Sequence, residues 1–365
     1  LYHTLRTGID ILERHIDFFG DFTAPACDEF KPDCRLVDGK EQIIQGDNLK
    51  IYNYDIFIAD DWFVNQSLTL TPGVLWSYDD YSKQTFTQGK FKLRWEMMDY
   101  WWINGAWGQY HKFTDNFGQV AKGFGNPELK QSTSDHYTLG IEHQIDETTL
   151  IKLDTYYKTF DDLAVSRADK DTVYPTLSLE EYLALPRYTN DADGDAYGFE
   201  LFLNKSFSDG WYGWLSAAYS ETRRHNKLTG EDFKYAYDQP WIINLVSSHE
   251  LNKDWTIGFK WRYQSGQLIT PVVGTTPSTD PEYPDLVNPT YGELNSERLP
   301  ASHKLDVRLD RNYQYQGWNM DLYVEALNLY NQANVTGYEY NADYSEKEDV
   351  TGLPTIISFG IKANL

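Results

Sequence analysis

Paired runs of alternating apolar and polar residues, joined by connections that are in turn very short and very long, constrain this chain more than any other feature. Tyr54 to Trp62 passes through Phe63-Val64-Asn65-Gln66 almost directly into Leu68 to Trp76. Ile141 to Ile145 turns at Asp146-Glu147-Thr148 into Leu150 to Thr159, and Leu245 to Leu251 turns at Asn252-Lys253-Asp254 into Thr256 to Tyr263. The connections between these hairpins are polar, rich in Gly, Pro and Asp, and run to roughly ten to thirty residues, far beyond the loops of a compact domain. One short rim and one long rim is the layout of a transmembrane β-barrel with periplasmic turns and extracellular loops.

The other membrane class is excluded, because no run of about eighteen apolar residues exists to make a spanning helix. Mean hydropathy is negative, at -0.59, yet the chain carries 28 Tyr, 12 Trp and 18 Phe. Both facts suit a barrel wall, which needs only every second residue apolar and gathers Tyr and Trp at the two membrane interfaces. A soluble sandwich shows the same alternation. Its strands are shorter: many segments here run for about ten to fourteen residues, against about five or six in globular sheets and about nine to eleven for a tilted crossing of a bilayer.

The expected fold is therefore all-β, an antiparallel up-and-down transmembrane barrel, with about fourteen strands in this chain. Their spans are 2-17, 48-62, 67-79, 86-97, 101-113, 134-145, 149-164, 194-207, 212-225, 237-251, 255-271, 301-316, 318-335 and 354-365, with ends that sequence defines to within a few residues. Short turns fall near 63-66, 98-100, 146-148, 208-211, 252-254 and 317. Long connections fall at 18-47, 80-85, 114-133, 165-193, 226-236, 272-300 and 336-353.

Alternation also assigns faces. Leu305, Val307 and Leu309 face lipid, which turns Asp306, Arg308 and Asp310 into the lumen, since Arg or Lys on the lipid face near the midplane costs about 2–4 kcal/mol. Likewise Ile257, Phe259 and Trp261 face out with Lys260 and Arg262 inside. Phe91, Leu93 and Trp95 face out with Lys90, Lys92 and Arg94 inside. In the last strand Phe359, Ile361, Ala363 and Leu365 point outward, while Ser358, Gly360, Lys362 and Asn364 point inward. The charged columns imply a wide polar interior.

Several short motifs, weak singly and strong in their order, resemble those of TonB-dependent outer-membrane receptors. They are Gly125-Asn126-Pro127-Glu128-Leu129-Lys130 before the strand from Tyr137; Tyr157-Lys158-Thr159-Phe160-Asp161-Asp162-Leu163; Ala196-Tyr197-Gly198-Phe199-Glu200-Leu201; Asn295-Ser296-Glu297-Arg298-Leu299-Pro300 leading to His303; and Glu325-Ala326-Leu327-Asn328-Leu329-Tyr330-Asn331. The resemblance covers essentially the whole chain. It implies a barrel of about 22 strands around an N-terminal plug, importing a scarce nutrient with energy from the inner-membrane TonB complex. This chain then corresponds to the C-terminal part, with the plug, its TonB box and about eight strands preceding Leu1. The last residues, Gly360-Ile361-Lys362-Ala363-Asn364-Leu365, have the spacing of a barrel-assembly signal but end in Leu where that family usually has an aromatic. A self-contained passive porin and a surface scaffold for an outer-membrane partner protein are the rival readings.

Cys27 and Cys34, the only cysteines, lie together in the first long loop, where an oxidising compartment favours a local disulfide. The formal charge is −23, with carboxylates crowding the long loops. They solvate those loops and hold divalent ions against lipopolysaccharide, or they form a negative vestibule that favours neutral or cationic cargo. Asp191, Asp193 and Asp195 alternate as calcium ligands do, but Ala196 and Phe202 replace the Gly and the bidentate Glu of an EF-hand loop; the plainer expectation is a solvated turn before a strand at Gly194. Tyr283, Tyr291, Tyr338, Tyr340 and Tyr344 stand among Asn, Asp and Glu in the outer loops, suited to stacking on a glycan, peptide or cobalamin-like ligand or to packing the loops themselves. Lys260, Arg262, Asp306, Arg308 and Asp310 are placed to hold a plug or to balance one another across strands. No cofactor is expected. The eight histidines accompany no nucleophile elbow or zinc spacing, and no basic stripe marks nucleic-acid binding, so an enzyme and a nucleic-acid partner are not expected.

Overall fold

The computed structural model of the chain describes residues 2–18, 21–23, 42–44, 47–122, 125–277 and 286–364. Its wall is a meander of long antiparallel strands: Tyr2–Phe18, Asp47–Phe63, Leu68–Asp79, Gln84–Met98, Trp101–Lys112, Ser132–Asp146, Thr149–Ser166, Tyr188–Ser208, Trp211–Asn226, Trp241–Asn252, Trp255–Gln264, Ser302–Tyr315, Trp318–Leu327 and Ile356–Asn364. Each pairs with the next in chain order, and Tyr2–Phe18 and Ile356–Asn364 are the two ends of the sheet. The wall is an open arc of a barrel.

Register carries the same facing as the alternation, because residues directly opposite each other share a face. Trp261 stands opposite Leu305 and Phe259 opposite Val307; Val307 meets Ala326, which meets Ile357. Further along, Phe91 opposes Trp107, Trp107 opposes Tyr137 and Tyr137 opposes Tyr157. On the other face Lys260 meets Asp306 and Arg308 meets Glu325, which meets Ser358. Leu139, in the middle of the sheet, is 60% exposed. A central apolar side chain left open to this degree belongs on a face whose solvent is lipid.

The strands outreach the membrane. Tyr188–Ser208 has 21 residues, about 70 Å at the rise of an extended chain, against the nine to eleven or so that a tilted crossing uses. The excess projects at the long-loop end. There the only sizeable buried core of the described residues forms: Leu49, Ile51, Phe113, Val120, Leu129 and Tyr188, joined by Ile16, Tyr81, Phe117 and Ala164.

Several sequence expectations need correction at this end. The segment 190–193, expected as a solvated turn, lies inside the strand that begins at Tyr188; Asp195 pairs opposite Arg223 and Lys227 binds Asp193, so neighbouring cations let carboxylates sit in an ordered ladder. Residues 80–83 form a tight turn, because Gln84 already faces Asp79. The strand placed at 318–335 ends at Leu327, where Asn328 adopts a positive φ of 52°. Those at 237–251 and 255–271 shrink to Trp241–Asn252 and Trp255–Gln264. The long connections are themselves folded: 272–277 pairs with 287–291, 335–340 with 347–351, Glu231–Lys234 folds back on its own strand, and 165–187 carries two short helices, Lys170–Val173 and Leu179–Ala184. Cys27, Cys34, Tyr283 and Leu365 lie outside the described residues.

Candidate ligand-binding site

Two of the short motifs build the long-loop end of the arc. In the first, the Gly125 N–H donates to Ala121 O at 2.8 Å and the Asn126 N–H to Gln119 O at 2.7 Å, closing a turn so tight that a Cβ on Gly125 would lie 2.2 Å from Gly118 O. The Asn126 amide then donates to Tyr188 O at 2.9 Å. Lys130 pairs with Asp162 at 3.2 Å, and Asn190 both accepts from Lys130 N–H and donates to Lys130 O and Asp162 O. A loop between two strands is thus stapled to a third strand some sixty residues away.

The second motif does the same on the far side. Arg298 donates to Asp238 Oδ2 at 2.6 Å and to Gly266 O at 2.7 Å, and also to Asp238 O. Asp238 is 1% exposed and its other oxygen accepts from Thr222 N–H at 3.0 Å. Asn295, next in the motif, donates to Lys234 O at 2.9 Å. Buried charge is tolerated only when paired and hydrogen-bonded in this way.

Beside the second brace opens a cavity of about 730 Å³, lined by Arg223, Glu231, Asp232, Lys234, Glu293 and Asn295 among others. Both signs of charge surround it, and Phe233 and Leu268 add apolar wall. A second cavity of about 380 Å³ lies under the first motif, beside Phe113, Asp115 and Asp162. Both volumes fall within the range of small-molecule sites.

The outer loops are ordered by local chemistry. Ser178 and Glu181 form a capping box on the helix Leu179–Ala184, and the Ser178 backbone N–H and hydroxyl hold the Glu181 carboxyl below its usual range. Arg167, buried, donates to Tyr182 O and Leu185 O at the end of that helix and stacks on Tyr182 at 4.2 Å, satisfying carbonyls that a helix terminus leaves open. In the last hairpin the Ser345 hydroxyl and N–H depress the Asp343 carboxyl.

The residues singled out from sequence fall into separate places. Tyr338, Tyr340 and Tyr344 come together on the 335–351 hairpin, where Tyr340 and Tyr344 rings lie 5.5 Å apart and Lys347 sits 3.8 Å over Tyr338. Tyr291 is on the neighbouring hairpin, opposite Val272. On the inner face Arg308 binds the Asp310 carboxylate at 2.7–3.0 Å with Tyr323 at 3.8 Å beneath it, while Asp306 pairs with Lys304 at 3.2 Å and accepts from Asn328 N–H. Lys260 lies opposite Asp306 and Arg262 opposite Lys304. Asp193 is bound by Lys227 at 3.1 Å, and no group of three or more metal-binding side chains converges among the described residues. Sequence reasoning missed Asp238, Arg167 and Asn190. The motif quoted around Arg298 was the available signal for the first.

Comparison with known proteins agrees with this geometry. Residues 3–329 match the family model described as TonB dependent receptor-like, beta-barrel. The chain belongs to the TonB-dependent receptors. Its wall is therefore part of an outer-membrane barrel. Among curated proteins, an iron-regulated outer membrane virulence protein of Vibrio cholerae serotype O1 is 24% identical over 181 residues, 47% of this receptor chain and 27% of that protein. Among solved structures, the ferric-catecholate import receptor Fiu of E. coli K12 superposes with a TM-score of 0.67 at 12% identity, covering 99% of this chain and 52% of that one. The ferripyoverdine receptor of Pseudomonas aeruginosa, bound to ferripyoverdine, gives 0.66 at 13% identity over 98% and 45%. The receptor chain thus spans about half the length of these structures and about a quarter of the curated relative.

Proposed function

We propose that this chain is the outer-loop and C-terminal wall of an importer that draws a ferric chelate through the outer membrane with energy from TonB. The observation that carries the reading is the cavity of about 730 Å³ between Glu231–Lys234 and the Glu293–Arg298 segment, braced by the buried Arg298–Asp238 pair. Its volume lies within the range of small-molecule sites. Lys234 offers charge to an anionic chelate, and the aromatic cluster of Tyr338, Tyr340 and Tyr344 offers stacking surface at the same end. The names of the iron-regulated relative and of the catecholate and pyoverdine receptors favour iron over cobalamin, glycan or peptide as the nutrient. The reading needs no calcium at Asp191, Asp193 and Asp195; Lys227 pairs with Asp193 and Arg223 stands opposite Asp195.

The test is uptake of radiolabelled ferric chelates, catecholate and pyoverdine-like, by cells carrying the full-length receptor, with and without TonB. Import that needs both the receptor and TonB supports the reading. Uptake of none of these chelates, with a different nutrient imported instead, retires the cargo assignment while leaving the energised transport; uptake indifferent to TonB retires the transport mechanism.

A further inference from the structure

We infer that the outward face of the short-turn rim is a binding row for the phosphate groups of anionic phospholipids in the membrane leaflet at that rim. The row is built from cationic or protonatable side chains, each laid on an indole. Arg311 lies 5.2 Å over Trp255, its directly opposite neighbour. Lys205 lies 5.6 Å over Trp211, and the same Trp211 stacks on its cross-strand partner His249 with ring centroids 5.6 Å apart and planes within 5°. His143 stacks on its partner Trp101 at 3.9 Å, and His3 on its partner Trp62 at 5.8 Å.

Register puts all of them on the lipid face. Arg311 continues the outward series Leu305, Val307, Leu309; Lys205 continues Leu201 and Leu203; His143 follows Leu139 and Ile141; and His249 stands opposite Ile257. All lie within a few residues of a tight turn: 64–67, 99–100, 147–148, 209–210, 253–254 or 316–317. Charge facing lipid is expensive at mid-depth and falls to little near the interface, where long side chains reach the headgroups. Indoles collect at the same level. A cation over an indole face is held outward without a carboxylate partner, which leaves N–H groups for a phosphate oxygen. Lys205 donates to the Thr148 and Ser208 hydroxyls and, as an ammonium, has a third N–H to offer.

The carboxylates of this rim, Asp99, Glu147, Asp209 and Asp254, lie in the turns themselves, beyond the ends of the strands that carry the indoles. Asp60 receives His3 Nδ1 at 2.6 Å, and Asp146 at the neighbouring turn acts on Lys205. At the other end of the same face the signs are mixed, with Glu13 beside Lys50 at 3.1 Å and Glu221 beside Arg223 at 3.3 Å. On a chain of net charge −23, Arg311 and Lys205, each laid on an indole at this rim, are complementary to an anionic leaflet. His249 and His143 each engage one ring nitrogen inside the protein, with Ser247 Oγ and Tyr100 O, and carry a second. The inference rests on the outer-membrane placement and is independent of the cargo.

The experiment uses the full-length receptor in nanodiscs of phosphatidylcholine containing a minor fraction of phosphatidylglycerol, with native mass spectrometry reading which lipids stay bound on release. The wild type should retain phosphatidylglycerol over phosphatidylcholine well beyond their input ratio. Arg311→Gln with Lys205→Gln should cut that enrichment by roughly an order of magnitude, cations at an anionic surface acting additively. Lys260→Gln with Arg262→Gln, the same charge change on the inner face, should leave it within about twofold. If the outer pair does not assemble, His249→Gln and His143→Gln, which keep the indoles, give a smaller loss of the same sign. No phosphatidylglycerol enrichment in the wild type, or equal enrichment in inner-face and rim variants, overturns the proposal.

Discussion

Arg298 and Asp238, sixty residues apart in sequence, meet as a buried ion pair whose carboxylate is almost wholly sealed from solvent. Everything around it converges on the same purpose: Thr222 N–H takes the second Asp238 oxygen, Gly266 O takes another Arg298 N–H, and Asn295 ties the 293–298 segment to Lys234. The connection that follows Asn226 and the one that follows Gln264 are fixed to each other beside the cavity of about 730 Å³.

Removing one member should loosen that mouth and spare the wall. Breaking a buried pair by deleting one partner typically costs about 3–5 kcal/mol, because the remaining charge has no water to retreat to. Arg298→Ala and Asp238→Ala should each expose residues 226–240 and 266–300 to proteolysis and raise their hydrogen exchange, with barrel assembly judged by heat-modifiable gel mobility unchanged. Loop protection equal to wild type in both variants would show the pair to be dispensable.

The glycine beside the pair gives an independent reading of the same brace. A Cβ on Gly266 would lie 1.7 Å from Leu299 O and 2.4 Å from its carbon, which is backbone and cannot swing aside. Gly266→Ala should cost about 1–3 kcal/mol through forced displacement and reproduce the loop exposure of Arg298→Ala. Gly274, on the adjacent hairpin, where an added Cβ would meet nothing within 4 Å, supplies the control: Gly274→Ala should leave exchange untouched.

What was legible in the sequence follows from where each structural cause resides. The wall was read almost strand for strand, because alternation is local and register repeats it: Trp261, Leu305 and Val307 face out for the same reason in both. Strand ends at the long-loop side differ in both directions: the strand from Tyr188 is longer than expected, since Asn190 to Asp193 look like a turn until Lys227 is known to stand beside them, whereas the strands that end at Gln264 and Leu327 are shorter. The braces were the least legible. Arg298 and Asn126 stood out as motif residues, but their partners Asp238 and Tyr188 lie sixty or so residues away, and nothing local marks an aspartate as buried.

Acid should unpick the outer helix Leu179–Ala184 in a defined direction. Glu181 is depressed below the ordinary glutamate value of 4.5, first by the Ser178 N–H and then by the Ser178 hydroxyl. A lowered folded value means the cap contributes fully above the unfolded value and is lost as pH falls through the folded one. Exchange protection of 179–185, corrected for intrinsic rates, should therefore hold down to about pH 4.5 and decline below it. Glu181→Gln can still make a capping box and should flatten this dependence, whereas Glu181→Ala should lower protection throughout.

The inner-face charges divide by whether they are already satisfied. Arg308 grips Asp310 through two nitrogens and rests on Tyr323, so its interactions are spent within the wall; Lys260 faces Asp306, whose oxygens are engaged by Lys304 and Asn328. A pair partly exposed in a polar lumen is worth about 1 kcal/mol or less, so Arg308→Ala should assemble normally and change chelate uptake by less than about twofold. Lys260→Ala should weaken uptake more, because that ammonium is the better placed to hold a plug. Both variants are compared in the full-length receptor with TonB present, and antibiotic leak is read alongside. A large loss in Arg308→Ala with none in Lys260→Ala would mean that Arg308 leaves Asp310 during transport, and that the pair seen here is one state of a moving contact.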